Sequence, residues 1–157
     1  MDEPSWLDKA RGYLDLGMLD AAWNEIESLP PDKRGCAEAQ EMRIVIQLER
    51  GALEEALALC EILCDVAPGE HAGYIQGAYC LHELGRTDEA IEHLQSGPQT
   101  LREEAVYFYN LGCYELAVGR EQAAIAWLDR SFDLDHRFRK HAKTDPDLES
   151  IRGYFSD

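Results

Sequence analysis

The sequence predicts an all-α fold, a solenoid of four helix pairs closed by a capping helix, and three observations carry that expectation. Gly17, Gly51, Gly85 and Gly119 recur every 34 residues. Ala22, Ala56, Ala90 and Ala124 keep the same period. The residue after each alanine is large and apolar (Trp23, Leu57, Ile91, Ile125), and three places further on stands Ile26, Cys60, Leu94 or Leu128, which is the stripe of a buried helix face. Composition alone would fill both tracks with odds of roughly one in a million, so the period is not an accident of common residues.

The chain order of these residues assigns each element. Each glycine lies where a first helix must stop and the chain reverse, a place that suits a left-handed cap residue without a side chain. Each alanine then opens the second helix, where a small side chain lets two backbones approach. The units span about 3–36, 37–70, 71–104 and 105–136. Pro30 and Pro31 in "LPPDKRG", and Gly97 and Pro98 in "SGPQTLR", cut the second helices of units one and three short. Units two and four run on to "LCDVAPG" and "SFDLDHR", so longer connections are expected after the first and third units. In the closing segment, 137–157, Asp145 is placed to cap a helix that begins at Pro146 and carries Leu148, Ile151 and Phe155 on one face. Such a lid covers the apolar side of a last unit that has no neighbour.

These residues resemble the tetratricopeptide repeat, most clearly in "FYNLGCYELAVGREQAAIAWLDRSFDLD", with Phe108, Leu111, Gly112, Gly119 and Ala124 on signature positions. The first unit matches with Trp6, Ala10, Tyr13, Gly17 and Ala22. The resemblance runs from about residue 3 to 136, and the DPDL-type ending is similar to that of many bacterial members. It implies a right-handed solenoid of antiparallel helix pairs and a single domain over 1–157. Lys9 and Arg43 depart from the usual leucine, Gln47 and Glu115 from the usual tyrosine, and of the four closing prolines only Pro68 is kept.

Composition narrows the function. Thirty-one acidic against fifteen basic residues leave a formal charge of -16, which disfavours nucleic acid and anionic lipid, both of which need a basic surface. The same acid could serve only to keep a small protein soluble. No run has the apolar length of a membrane span, and "MDEPSWLDKARG" lacks a basic start and apolar stretch, so a cytoplasmic protein is expected. Five cysteines at helix-face spacings are expected as thiols without disulfides. Phosphate-loop, serine-hydrolase and zinc-protease patterns are absent, and no enzyme activity or cofactor is expected. The best metal candidate, Cys60 and Cys64 with Cys80 and His82, competes with a reading of Cys60 and Cys64 as small apolar core residues; a metal-dependent enzyme is the weakest alternative.

What remains is binding. The resemblance implies that first helices line a concave groove, through Leu7, Arg11 and Leu14; Glu41, Val45 and Leu48; Ile75, Tyr79 and His82; and Tyr109, Cys113 and Leu116. The expected ligand is a protein or peptide segment with apolar anchors, with or without basic residues, and Tyr79 and Tyr109 are the expected aromatic anchors. The groove is either open, or covered in part by the closing segment. The clamp with which relatives hold acidic chaperone tails is missing, since its places carry Leu7, Arg11, Met42, Ala72 and Gln76. The alternative in the binding class is a chaperone similar to those that serve type III translocator proteins. Arg137, Arg139, Lys140 and Lys143 form the basic stretch of the chain, read either as a solvated face of the lid or as a docking patch for an acidic partner.

Overall fold

The computed structural model describes residues 5–155, so the expected start of the first unit at residue 3 lies outside the described residues. All regular elements among the described residues are helical. Tertiary contacts gather them into two compact units, one reaching to Cys80 and one beginning at Leu81.

The first unit holds α1 (Ser5–Asp15), α2 (Leu19–Glu27), the short α3 (Pro31–Arg34), α4 (Ala37–Glu49), α5 (Leu53–Val66) and most of α6 (Ala72–Glu83). Helices α1 and α2 pair, as do α4 and α5, and α2 packs on α4. Leu7, Ala10, Ala22, Ile26, Ala39, Met42 and Ile46 form the core between them, with Trp6, Tyr13 and Trp23 packed at its edge. A second cluster joins Ile44 to Cys60 and Leu63. Trp23 meets two cations, with the Arg43 and Arg50 guanidinium carbons 5.4 and 5.2 Å from its ring centre. Arg43 also pairs with Glu27 at 2.8 Å, which finds a use for a residue that departs from the repeat pattern.

The second unit holds α7 (Thr87–Gln95), a 3₁₀ turn (Gln99–Glu103), α8 (Ala105–Ala117), α9 (Glu121–Leu134), α10 (Arg137–Ala142) and a closing 3₁₀ segment (Pro146–Tyr154). Its best-packed pair is α8 with α9. Gly112 makes that approach possible, because a Cβ there would lie 2.7 Å from Leu128 Cγ. Glu115, the other departure from the pattern, is buried and accepts from Arg120 Nε at 2.6 Å.

Four identical caps build the period. Gly17, Gly51, Gly85 and Gly119 have φ of 72, 73, 80 and 86°, the left-handed region, and no other described residue does. Each glycine N–H donates back to the carbonyl three residues earlier, and the next N–H to the carbonyl five residues earlier. For the first unit these bonds are Gly17 to Leu14 at 2.9 Å and Met18 to Tyr13 at 2.8 Å; for the fourth, Gly119 to Leu116 at 3.0 Å and Arg120 to Glu115 at 2.9 Å. Two orphan carbonyls of each first helix are thereby satisfied. Ala22, Ala56, Ala90 and Ala124 are wholly buried in the second helices.

The expected unevenness is present. Helices α2 and α7 have 9 residues, and α5 and α9 have 14. The prolines do not leave bare loops: Pro31 opens α3, and Pro98 caps the 3₁₀ turn. One element differs from expectation. The closing segment is 3₁₀ rather than an α-helix, although Asp145 caps it as expected, its Oδ1 accepting from Asp147 N at 3.0 Å. Leu148 and Ile151 stand three apart, a spacing that eclipses on a 3₁₀ turn as readily as it shares an α-helical face.

Candidate partner-binding surfaces

In the first unit, α1 and α4 present a hollow of about 290 Å³ lined by Leu7, Arg11, Leu14, Glu38, Glu41, Met42 and Val45. Five of these are residues the repeat phase assigns to the groove. Their convergence follows from helix spacing: Leu7, Arg11 and Leu14 share one face of α1, and Glu38, Glu41 and Val45 one face of α4. The floor is apolar, and the charged residues around it, Arg11 with Glu38 and Glu41, carry a net negative charge. Burial pushes the Glu41 carboxyl above its ordinary range, and the charges of Glu70 and Glu38 push the same way. Val45 is 40% exposed, high for a valine inside a helix. Leu48 is half-buried and packs on the Ile44, Cys60 and Leu63 cluster instead. Ile75 and Tyr79 stand one helical turn apart on α6, half-buried and 42% exposed, and neither lines the hollow.

The second unit places its predicted residues differently. His82 Nδ1 lies 3.0 Å from Thr87 Oγ1, and its ring meets Tyr114 at 4.8 Å, so it braces the start of α7. Tyr109 is corrected from an open-groove anchor to a core residue. It is buried with Leu148, Ile151 and Phe155 of the closing segment, while Cys113 and Leu116 pack against the same cluster. Its hydroxyl donates to Asp145 Oδ2 at 2.5 Å, and its ring meets Phe138 at 5.3 Å and His141 at 5.6 Å. Burial, followed by the hydrogen bond to Asp145, holds this phenol far above its ordinary range. Burial raises the Cys113 thiol, with Asp145 adding to the effect. The closing segment therefore lies over the face of the fourth repeat that the repeat phase assigns to the groove.

The basic stretch forms α10. Arg137 folds back on Asp135, with Nη2 2.7 Å from Oδ2, and this bond lowers the Asp135 carboxyl to about 2. Arg139 and Lys143 also have partners. Cys60 is buried, and the neighbouring Cys80 thiol together with that burial holds it well above its ordinary range. Cys64 is half-buried beneath Gly73 of α6, where a Cβ would lie 2.8 Å from its Sγ, and burial pushes its thiol up to about 11. Among the described residues, no three His, Cys, Asp or Glu side chains converge as metal ligands.

Two features were not singled out by sequence reasoning. Glu38 enters the hollow's rim, legible in retrospect as one turn before Glu41. On α8 and α9, Arg130 lies over the Phe108 ring at 4.3 Å and the Trp127 ring at 5.7 Å, and those rings stack at 5.7 Å.

Antiparallel helix pairs, repeated on a 34-residue period with a left-handed glycine at each reversal, define a tetratricopeptide-like fold. Solved structures agree. The chain is similar to MamA from Desulfovibrio magneticus RS-1, with TM-score 0.75, 13% identity, and coverage of 96% of this chain and 89% of that one. It is similar to MamA of MSR-1, with TM-score 0.68, 19% identity, and 84% and 76% coverage. A thermophilic TPR protein of Thermus thermophilus, TTC0263, gives TM-score 0.70 at 18% identity, with 96% and 79% coverage. No family model and no curated protein matches the chain. No described helix is long and apolar enough to cross a membrane.

Proposed function

We propose that this chain is a non-catalytic protein-binding adaptor of the cytoplasm, whose first-unit hollow takes an extended or helical segment with an apolar anchor beside a basic residue. The hollow between α1 and α4 carries this reading. Leu7, Leu14, Met42 and Val45 offer an apolar floor, while Glu38 and Glu41 offer charge that a lysine or arginine would neutralise. Glu41 gains most, since a cation beside it offsets the burial and repulsion that raise its carboxyl. Ile75 and Tyr79 would extend the site along α6. The repeat period crosses the boundary at Cys80 unbroken, from Gly51 to Gly85, which supports treating residues 1–157 as one domain.

Selection of a displayed peptide library on the purified protein tests this. Recovered peptides should pair a large apolar side chain with lysine or arginine, and Val45→Asp should weaken them at least about tenfold, as loss of a central contact does. Glu41→Lys should reduce association mainly at low salt. Binders indifferent to both changes would remove the hollow as the site.

A further inference from the structure

The second unit carries a cleft whose charge is opposite to that of the hollow in the first. A cleft of about 220 Å³ on the second unit is lined by Gln99, Arg102, Glu103, Tyr107, Phe108, Trp127 and Arg130. Both arginines are seated on aromatic rings: Arg102 lies 5.2 Å from the Tyr107 ring centre, and Arg130 lies over Phe108 and Trp127. A guanidinium held face-on to a ring keeps its N–H edge free to bind in plane. Arg102 commits two of its nitrogens to the carbonyls of Gln95, Gly97 and Pro98, which fixes it in place at the end of α7. Arg130 donates to no acceptor among the described residues. In a chain with twice as many acidic as basic residues, a placed but uncommitted guanidinium is unusual.

The lining also sets the ligand's charge and shape. Two guanidiniums against the single carboxylate of Glu103 leave one positive charge, which suits one carboxylate better than a phosphate or a polyanion. Trp127 and Arg130 also line a second hollow, of about 310 Å³, with Ala123 and Ala126. That hollow has small apolar walls and room for a large apolar side chain. We propose that this face of α8 and α9 binds a protein segment in which an aspartate or glutamate stands next to a large apolar residue. The carboxylate pairs in plane with Arg130, and the apolar neighbour rests on Trp127 between Ala123 and Ala126.

The test is a titration with an acetylated, amidated peptide carrying glutamate beside phenylalanine, followed by the indole N–H signal of Trp127 in a ¹H–¹⁵N spectrum. The signal should shift saturably, and the Trp23 indole should not move. Arg130→Gln should weaken binding by about tenfold or more, the cost of a lost charge-assisted pair. Arg130→Lys should recover little of it, because lysine has no planar fork. Ala126→Glu, on an exposed position one helical turn before Arg130, should block the site by filling the hollow and by offering that guanidinium a carboxylate within the chain. A Trp127 signal that stays still would overturn the proposal. So would equal binding of the same peptide with glutamine for glutamate, or undiminished binding by the folded Arg130→Gln and Ala126→Glu proteins. Inorganic phosphate competing as well as the peptide would show a general anion site instead, and would overturn it too.

Discussion

The groove-register residues of the first and fourth repeats occupy the same places in the repeat, yet one set is open and the other is covered. Leu7 and Tyr109 stand at one register position, and Arg11 and Cys113 at the next, three periods of 34 residues apart. Around Leu7 the helices leave a hollow that Arg11, Glu41 and Val45 also line. Around Tyr109 the equivalent surface is covered by Leu148, Ile151 and Phe155. The repeat supplies a surface, and the segment after the fourth repeat decides whether that surface stays open or becomes core.

Truncations measure the contrast most directly. Leu148→Ala should destabilise by about 2 to 5 kcal/mol, because Leu148 is fully buried and its loss leaves a cavity under the lid. Val45→Ala, on the open face, should stay within about 0.5 kcal/mol. Urea melts of the two variants would break the comparison if they gave equal losses.

The caps should show no such contrast. Gly51→Val in the first unit and Gly85→Val in the second should each cost about 1 to 2 kcal/mol, the penalty of a side chain in the left-handed region. No neighbouring atom lies within 4 Å of a Cβ at either place, so the loss is purely conformational. Unequal losses would mean that the two caps differ in more than their surroundings.

A smaller effect belongs to the lid's polar tie. Tyr109→Phe keeps the ring and removes the bond to Asp145, at a cost of about 1 kcal/mol. Amide exchange should quicken in 146–154 before it does in α1 or α4. Uniform quickening would show that the tie serves the whole chain.

The smallest effects are with pH, and they run in opposite senses in the two units. The folded Glu41 holds its proton above its ordinary value of 4.5, so the folded state binds more protons than the unfolded one and stability falls as pH rises from there. Glu41→Gln removes this, and its melting temperature should gain on wild type as pH rises above 4.5. Asp135 is lowered from 3.8 to about 2, so its contribution is present above 3.8 and is lost as pH falls toward 2. Asp135→Asn should converge on wild type in that acid range.

The sequence made the local features legible and left the distant ones obscure. Gly17 or Gly119 in the left-handed region is a property of a few consecutive residues, and Pro30 and Gly97 shorten helices wherever they stand. Hence the tracks, the caps and the unequal helix lengths were readable. Tyr109 reads as an anchor because its register faces the groove, and only the return of Leu148 and Phe155, 39 and 46 residues later, turns it into core. Arg130 escapes notice for the same reason. Its partners Phe108 and Trp127 look like ordinary stripe residues until α8 and α9 bring their rings together. The α-helical reading of 146–154 fails because a spacing of three fits both helix types.

Each cap closes on hydrogen bonds within six consecutive residues, as from Tyr13 to Met18, and borrows nothing from the rest of the chain. A junction so self-contained can be copied along with its helices. The number of repeats is therefore a quantity that duplication can edit: a second copy of residues 52–85 inserted after Gly85 would carry its own reversal, and the added pair would join the chain in phase, with the lid still at the end that needs it.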